Sequence, residues 1–260
     1  MANPPSQINE RSPYLAFGTL FLFWLPLALM WIFMGIEQPI LNGAMARFPE
    51  ATLSLAAFEV AFAIALVIES PIIQMLSAAT ALVRGPRSYR GLLRFMHVLA
   101  LILTALHIVI SRPVVFGFVA GTILRVPEHV IDPARRAFTV LIPFAALVGY
   151  RRLWQGSLIQ LGRTGIVAQT MIARLAVTIG ALLAGGLVIR GGVALPRGGG
   201  AFVAATALSL GVATGAGAAW WYYRREARRE AAGAGGEIRA ASATSAAGAT
   251  SAGAAEARAA

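Results

Sequence analysis

Three charged side chains fall inside long apolar runs of this 260-residue chain: Glu59, Glu69 and Arg174. A charge at the centre of a bilayer costs at least about 2.5 kcal/mol on insertion scales, so each needs a partner or a watery cavity. Glu69 and Arg174 both fall near the middle of their runs, and a salt bridge between them is the expected pairing. Glu59 precedes Glu69 by ten residues, roughly 80° around an ideal helix, so one side of a helix can carry both. Pro71 follows Glu69 and Ser70 and removes one helical hydrogen bond, which predicts a hinge beside the acid. Around Arg174, Thr170 and Thr178 recur at four-residue spacing with Gln169 adjacent, a polar stripe that should face protein or water. Such a set suits a path for a solute or ion. It suits equally a buried pair that fixes helix register, with the threonines hydrogen bonding between helices.

Other chemistry-bearing residues are sparse. His97 and His107 can titrate near neutral pH, but isolated histidines also serve as packed or interfacial residues. Glu128 and His129 have no second metal ligand nearby in sequence. No H-E-x-x-H, G-x-S-x-G, Walker A or G-x-G-x-x-G element stands in a supporting context, so neither catalysis nor a metal centre is expected. Cysteine is absent, which removes disulfides, thiolate metal sites and cysteine nucleophiles together.

The elements that must position these residues are membrane helices. Hydrophobic residues make up 58% of the chain and charged residues only 13%, about half the share of a soluble domain. The apolar residues come in unbroken runs, several of them reaching the roughly 20 residues that span a bilayer as a helix. Six runs are expected to cross: residues 14–36, 53–82, 92–110, 134–150, 165–188 and 201–223. The fourth is the shortest, so it must tilt little, sit inside protein, or draw in Arg135, Arg136, Arg151 and Arg152 as snorkelling ends. Residues 114–124 are too short to cross and should extend the third helix or lie at the interface. The first run exceeds a signal-peptide core of roughly 7–15 residues and is read as a span. Gly211 and Gly215 form a G-x-x-x-G spacing on the last span, which permits close helix contact within one chain or between two copies.

The net charge of +11 comes entirely from arginines scattered between the apolar runs, a distribution that argues against nucleic-acid binding. With the N-terminus inside, twelve arginines collect on the inner side and seven on the outer, so both termini are expected in the cytoplasm. The domain plan is a cytoplasmic segment (1–13), a six-helix membrane domain (14–223), a basic juxtamembrane segment (224–230) and a tail (231–260). Arg224 to Arg229 can anchor the last helix on anionic headgroups. The tail is rich in Ala, Gly, Ser and Thr, which predicts disorder because so little apolar surface can be buried.

Two sets of residues resemble known transporters. Gly35-Ile36-Glu37-Gln38-Pro39-Ile40-Leu41-Asn42-Gly43, followed by a span bearing Ser70-Pro71, resembles the start of the progressive ankylosis family. Arg135-Arg136-Ala137-Phe138, Pro143-Phe144, Gln155-Gly156 and Gln160-Leu161-Gly162-Arg163-Thr164 resemble that family and its multidrug and toxic-compound extrusion (MATE) relatives. The likeness covers roughly residues 15–185. Members of that superfamily, which includes flippases for lipid-linked sugars, consist of two six-helix halves related by an axis along the membrane normal. The resemblance implies an all-α integral membrane protein equivalent to the first half, in the plasma (inner) membrane. It further implies secondary transport or flipping of an organic or amphiphilic solute, coupled to Na+ or H+ and needing no other cofactor. Stopping after six spans, the chain would act as a parallel homodimer or with a second six-helix half. The alternative is a non-transporting scaffold or accessory subunit that packs on a partner among membrane lipids.

Overall fold

The computed structural model describes residues 17–193 and 195–259, and every element among them is helical. The expected cytoplasmic segment, residues 1–13, lies outside the described residues. The helices are α1 (Phe17–Met45), α2 (Ala51–Ile73), α3 (Met75–Leu82), α4 (Pro86–Ile110), α5 (Pro113–Gly117), α6 (Glu128–Val140), α7 (Phe144–Gln160), α8 (Thr164–Arg190) and α9 (Gly199–Ala259). Proline starts α4 and α5, where its missing N–H costs no helical hydrogen bond. Pro113 also separates α5 from α4, and a π-helical segment, Phe118–Ile123, follows it.

Among the described residues, five helical stretches are long and apolar enough to cross a membrane: Leu20–Met45, Ala51–Leu82, Pro86–Ile110, Thr164–Arg190 and Gly199–Glu230. The chain is therefore an integral membrane protein built from apolar helices. These five match the first, second, third, fifth and sixth expected spans. The fourth is broken instead into α6 and α7. Pro143 disfavours helix at the residue before it, and tight turns close the gap, with the Leu141 N–H donating to the Phe138 carbonyl at 3.0 Å and the Phe144 N–H to the Leu141 carbonyl at 2.9 Å.

Packing fixes which helix ends lie together. At one end Met30 of α1, Leu158 of α7, and Val167 and Met171 of α8 form a small core against Tyr222 and Tyr223 of α9. At the other end Phe48 approaches Gly186 and Gly200, while Gly198 packs on Pro133 and Leu53. Glu50 joins this second end together: its carboxylate accepts the Gly198 N–H at 2.7 Å, and its own backbone is held at φ 51°. The α6–α7 pair runs from the second end, where Pro133 sits, to the first, where the Trp154 indole donates to the Tyr89 hydroxyl at 3.2 Å.

Helix α7 occupies the centre, touching α2, α3, α4, α8 and α9. Eleven of its seventeen residues are buried, so neighbouring helices rather than lipid surround it and it can carry more polar residues than the lipid-facing spans. Close approach depends on its glycines. A Cβ at Gly156 would stand 2.5 Å from the Leu76 carbonyl oxygen and 2.6 Å from the Ala79 Cβ. Helix α1, by contrast, packs mainly on α8 and leaves Phe17, Leu22, Trp24 and Trp31 exposed.

Of the alternatives open for the fourth run, placement inside protein holds for its second half: α7 continues past Arg151 and Arg152, and both are buried at the bundle centre. Arg135 and Arg136 lie on α6 and pair with Asp132 at 3.0 and 2.6 Å. Helix α9 runs on through the residues expected as a tail, to Ala259.

Candidate functional site

Helices α1, α2, α7 and α8 bring five charged side chains into the interior. Glu37, Glu69, Arg151, Arg152 and Arg174 are each between 1% and 6% exposed. Arg174 does not pair with Glu69. Its guanidinium grips Glu37 of α1 in bidentate fashion, Nε donating to Oε1 at 3.0 Å and Nη2 to Oε2. The Thr178 hydroxyl adds a bond to Glu37 Oε1 at 3.1 Å, so two residues one turn apart on α8 hold a single carboxylate. Planar, charge-assisted contacts of this kind are the strong ones, and here they tie α1 to α8.

Glu69 faces a different set. Arg151, Arg152 and Arg174 all act on it electrostatically, yet its Oε2 is buried without a hydrogen-bond partner. The two α7 arginines are equally short of partners. Arg151 Nη1 donates to the Met171 sulfur at 3.1 Å, and its Nε is unpaired. Arg152 Nη2 reaches the Met34 sulfur at 3.5 Å, its guanidinium lies 5.6 Å from the centre of the Trp31 ring, and Nε and Nη1 are unpaired. Thioethers are weak acceptors. Two carboxylates thus face three guanidiniums, and one carboxylate is already committed to Arg174. The interior carries an excess of positive charge with donors aimed at no oxygen.

Neutral side chains complete the cluster. The Gln155 amide donates to the Thr170 hydroxyl at 3.0 Å, while its own Oε1 is buried and unpaired. Thr170 in turn donates to the Val167 carbonyl at 2.7 Å. Glycines on α9 let this polar core close. A Cβ at Gly215 would lie 3.3 Å from Arg151 Cδ, and one at Gly211 would lie 3.1 Å from the Arg174 carbonyl oxygen. The G-x-x-x-G pair is therefore used within the chain, against the helix that carries Arg174.

Of the residues expected to form the site, Glu69, Thr170, Arg174 and Thr178 are buried together in this interior. Gln169 is exposed. Glu59 is also exposed and points to α1, accepting from Asn42 Nδ2 at 3.2 Å and Gln38 Nε2 at 3.4 Å. Pro71 does not end α2, which closes two residues later at Ile73. The carbonyl it leaves without a donor, that of Val67, accepts the Ser70 hydroxyl at 2.9 Å. The interruption falls at Gln74, between α2 and α3. Glu37, Arg151, Arg152 and Gln155 join the site without having been singled out for chemistry. Their signal lay in polar residues next to apolar runs, which become interior once each helix is extended by a few turns.

The histidines have structural roles. His107 is buried with its ring stacked on Phe138, and its Nε2 donates to the Phe138 carbonyl at 2.9 Å, which fixes α4 against the end of α6. His97 Nδ1 lies 2.5 Å from the Tyr150 hydroxyl at the periphery.

Compared with protein-family models, curated proteins and solved structures, the chain matches none.

Proposed function

We propose that this protein is a multi-pass transporter subunit that moves an organic or amphiphilic solute bearing an anionic group. The observation that carries the reading is the buried excess of guanidinium donors at Arg151 and Arg152. Breaking or omitting one partner of a buried charge pair costs about 3–5 kcal/mol, so a purely structural core would be expected to neutralise or pair these groups. An anionic group entering beside them would take up the unpaired donors, and Glu69 would then compete with it for the same cations. That competition gives the acid a natural place in coupling to H+ or Na+.

In this reading α6 and α7 together form the fourth of six crossings, entered as a broken helix, and both termini are cytoplasmic in the plasma membrane. Irregular backbone at membrane depth is tolerated where protein rather than lipid surrounds it, and α7 meets that condition. Helix α1, tied to α8 by one carboxylate and interrupted by Pro26 and Pro39, is the element that moves to open the interior. A second copy in the same orientation, or another six-helix half, completes the architecture of a MATE-like transporter.

Purified protein in liposomes tests this. Uptake of radiolabelled carboxylates and phosphate esters is expected to exceed uptake of organic cations. Arg152→Met should lower anion uptake at least about tenfold while leaving thermal stability within about 1 kcal/mol of the parent, because it removes a buried charge that lacks a partner. Retained uptake in Arg152→Met, or preference for cations, would sink the proposal.

A further inference from the structure

Away from the buried cluster, the C-terminal end of α1 with Phe48 and the C-terminal half of α8 line a groove of about 490 Å³. Specific ligand pockets run from about 300 to 1,000 Å³. Its floor is apolar: Leu182 and Leu183 on one helix, Phe48 beyond the end of the other. Gly186 keeps it open, since a Cβ there would already be 3.4 Å from the Phe48 ring. Arg47 and Arg190 stand at the mouth. Both are exposed, and no carboxylate lies among the groove's residues. Arg47 spends one donor on the Gly43 carbonyl, at 2.8 Å, and among the described residues neither arginine forms an ion pair. Glu50, the nearest acid in sequence, is turned instead to Arg197 and the Gly198 N–H.

The geometry points to a binding site for one anionic phospholipid: an acyl chain lies along the apolar floor and the headgroup phosphate bridges Arg47 and Arg190. Charge complementarity selects this occupant. A zwitterionic lipid fills the floor but brings its own cation beside the same two guanidiniums, whereas a free anion gains nothing from the leucines. The phosphate, with its planar-matched oxygens, suits two arginines better than any point charge. Because the groove is lined by the same two helices that Glu37 and Arg174 join, a bound lipid touches both.

The site is tested with the full chain in nanodiscs containing equal amounts of phosphatidylglycerol and phosphatidylcholine with identical acyl chains, followed by native mass spectrometry of the retained lipid. The parent protein is expected to keep about one phosphatidylglycerol in preference to phosphatidylcholine. R47Q/R190Q should reduce that preference by about an order of magnitude, as loss of two basic contacts predicts. R47K/R190K should preserve most of it, and Gly186→Leu, which fills the floor, should reduce retention of both lipids. Arg94→Gln, an exposed arginine of α4, should change nothing. Should R47Q/R190Q fail to fold, the parent's preference must still fall with added NaCl, as screening of a headgroup contact requires. Equal retention of the two lipids by the parent, an unchanged preference in R47Q/R190Q, an equal loss in Arg94→Gln, insensitivity to salt, or displacement by inorganic phosphate alone would each overturn the assignment.

Discussion

A buried arginine is tolerated when its planar donors meet oxygens of matching geometry, and Arg174 meets that condition only through Glu37. The consequence is measurable. Glu37→Gln and Arg174→Gln should each lower unfolding stability by about 3–5 kcal/mol, the cost of leaving one buried charge alone. The exchange Glu37→Arg with Arg174→Glu should recover part of that loss, while exchanging Glu69 with Arg174 should recover none. Thermal unfolding in detergent distinguishes the two exchanges. An equal rescue by both would mean that Arg174 moves between the acids. Half of this pair was legible in the sequence: a lone arginine among Ile, Val and Leu announces that it needs a carboxylate. Its partner was not, because the first apolar run ends at Ile36, one residue before Glu37, whereas α1 continues through Pro39 to Met45. Hydropathy marks where lipid contact ends, not where the helix ends, and a polar helical turn facing the bundle is invisible to it.

At the scale of elements the same reasoning explains α7. Its run was too short and too charged for a lipid-facing span, and both defects follow from its central position, where polar side chains meet protein and only helix contacts must be small. Gly156 is one such contact. Gly156→Ala should cost about 1–3 kcal/mol, because its Cβ would press on the Leu76 carbonyl of α3, which is backbone and cannot swing aside. Gly180→Ala in α8 meets nothing within 4 Å and should be neutral or stabilise by about 0.5–1 kcal/mol, as removing glycine from a helix interior does. Denaturant titration of the two variants in parallel separates contact from propensity; a Gly156→Ala protein as stable as Gly180→Ala would mean that α3 yields to α7. The five long apolar helices were legible because their faces meet lipid. The broken one carried its information in which other helices surround it, and that is a property of the assembled bundle.

For the whole molecule, the decisive quantity is the number of crossings between α4 and α8. Burial of Arg151 and Arg152 removes two of the arginines that placed the inner side, so the positive-inside rule alone now argues less for six spans than it did. Packing supplies a separate constraint. Helix α4 begins at the end where Tyr89 meets Trp154 and Tyr223, and α8 begins at the same end, where Val167 and Met171 join Met30. Two helices starting at one end and running toward the other need a return between them, and only α6 with α7 covers that distance. Single cysteines, introduced into a chain that has none, test it directly. A cysteine at Ser88, at the start of α4, and one at Gly165, at the start of α8 with open space around it, should label from the same side of the membrane. A cysteine at Pro49, between α1 and α2, should label from the opposite side. Labelling of Ser88 and Gly165 from opposite sides would mean that α6 and α7 do not cross, leaving five spans and termini on different faces; a parallel pair of copies would then no longer reproduce a twelve-helix transporter. Labelling of both from outside intact cells would keep six crossings but reverse the orientation, placing the Arg47 and Arg190 groove in the cytoplasmic leaflet.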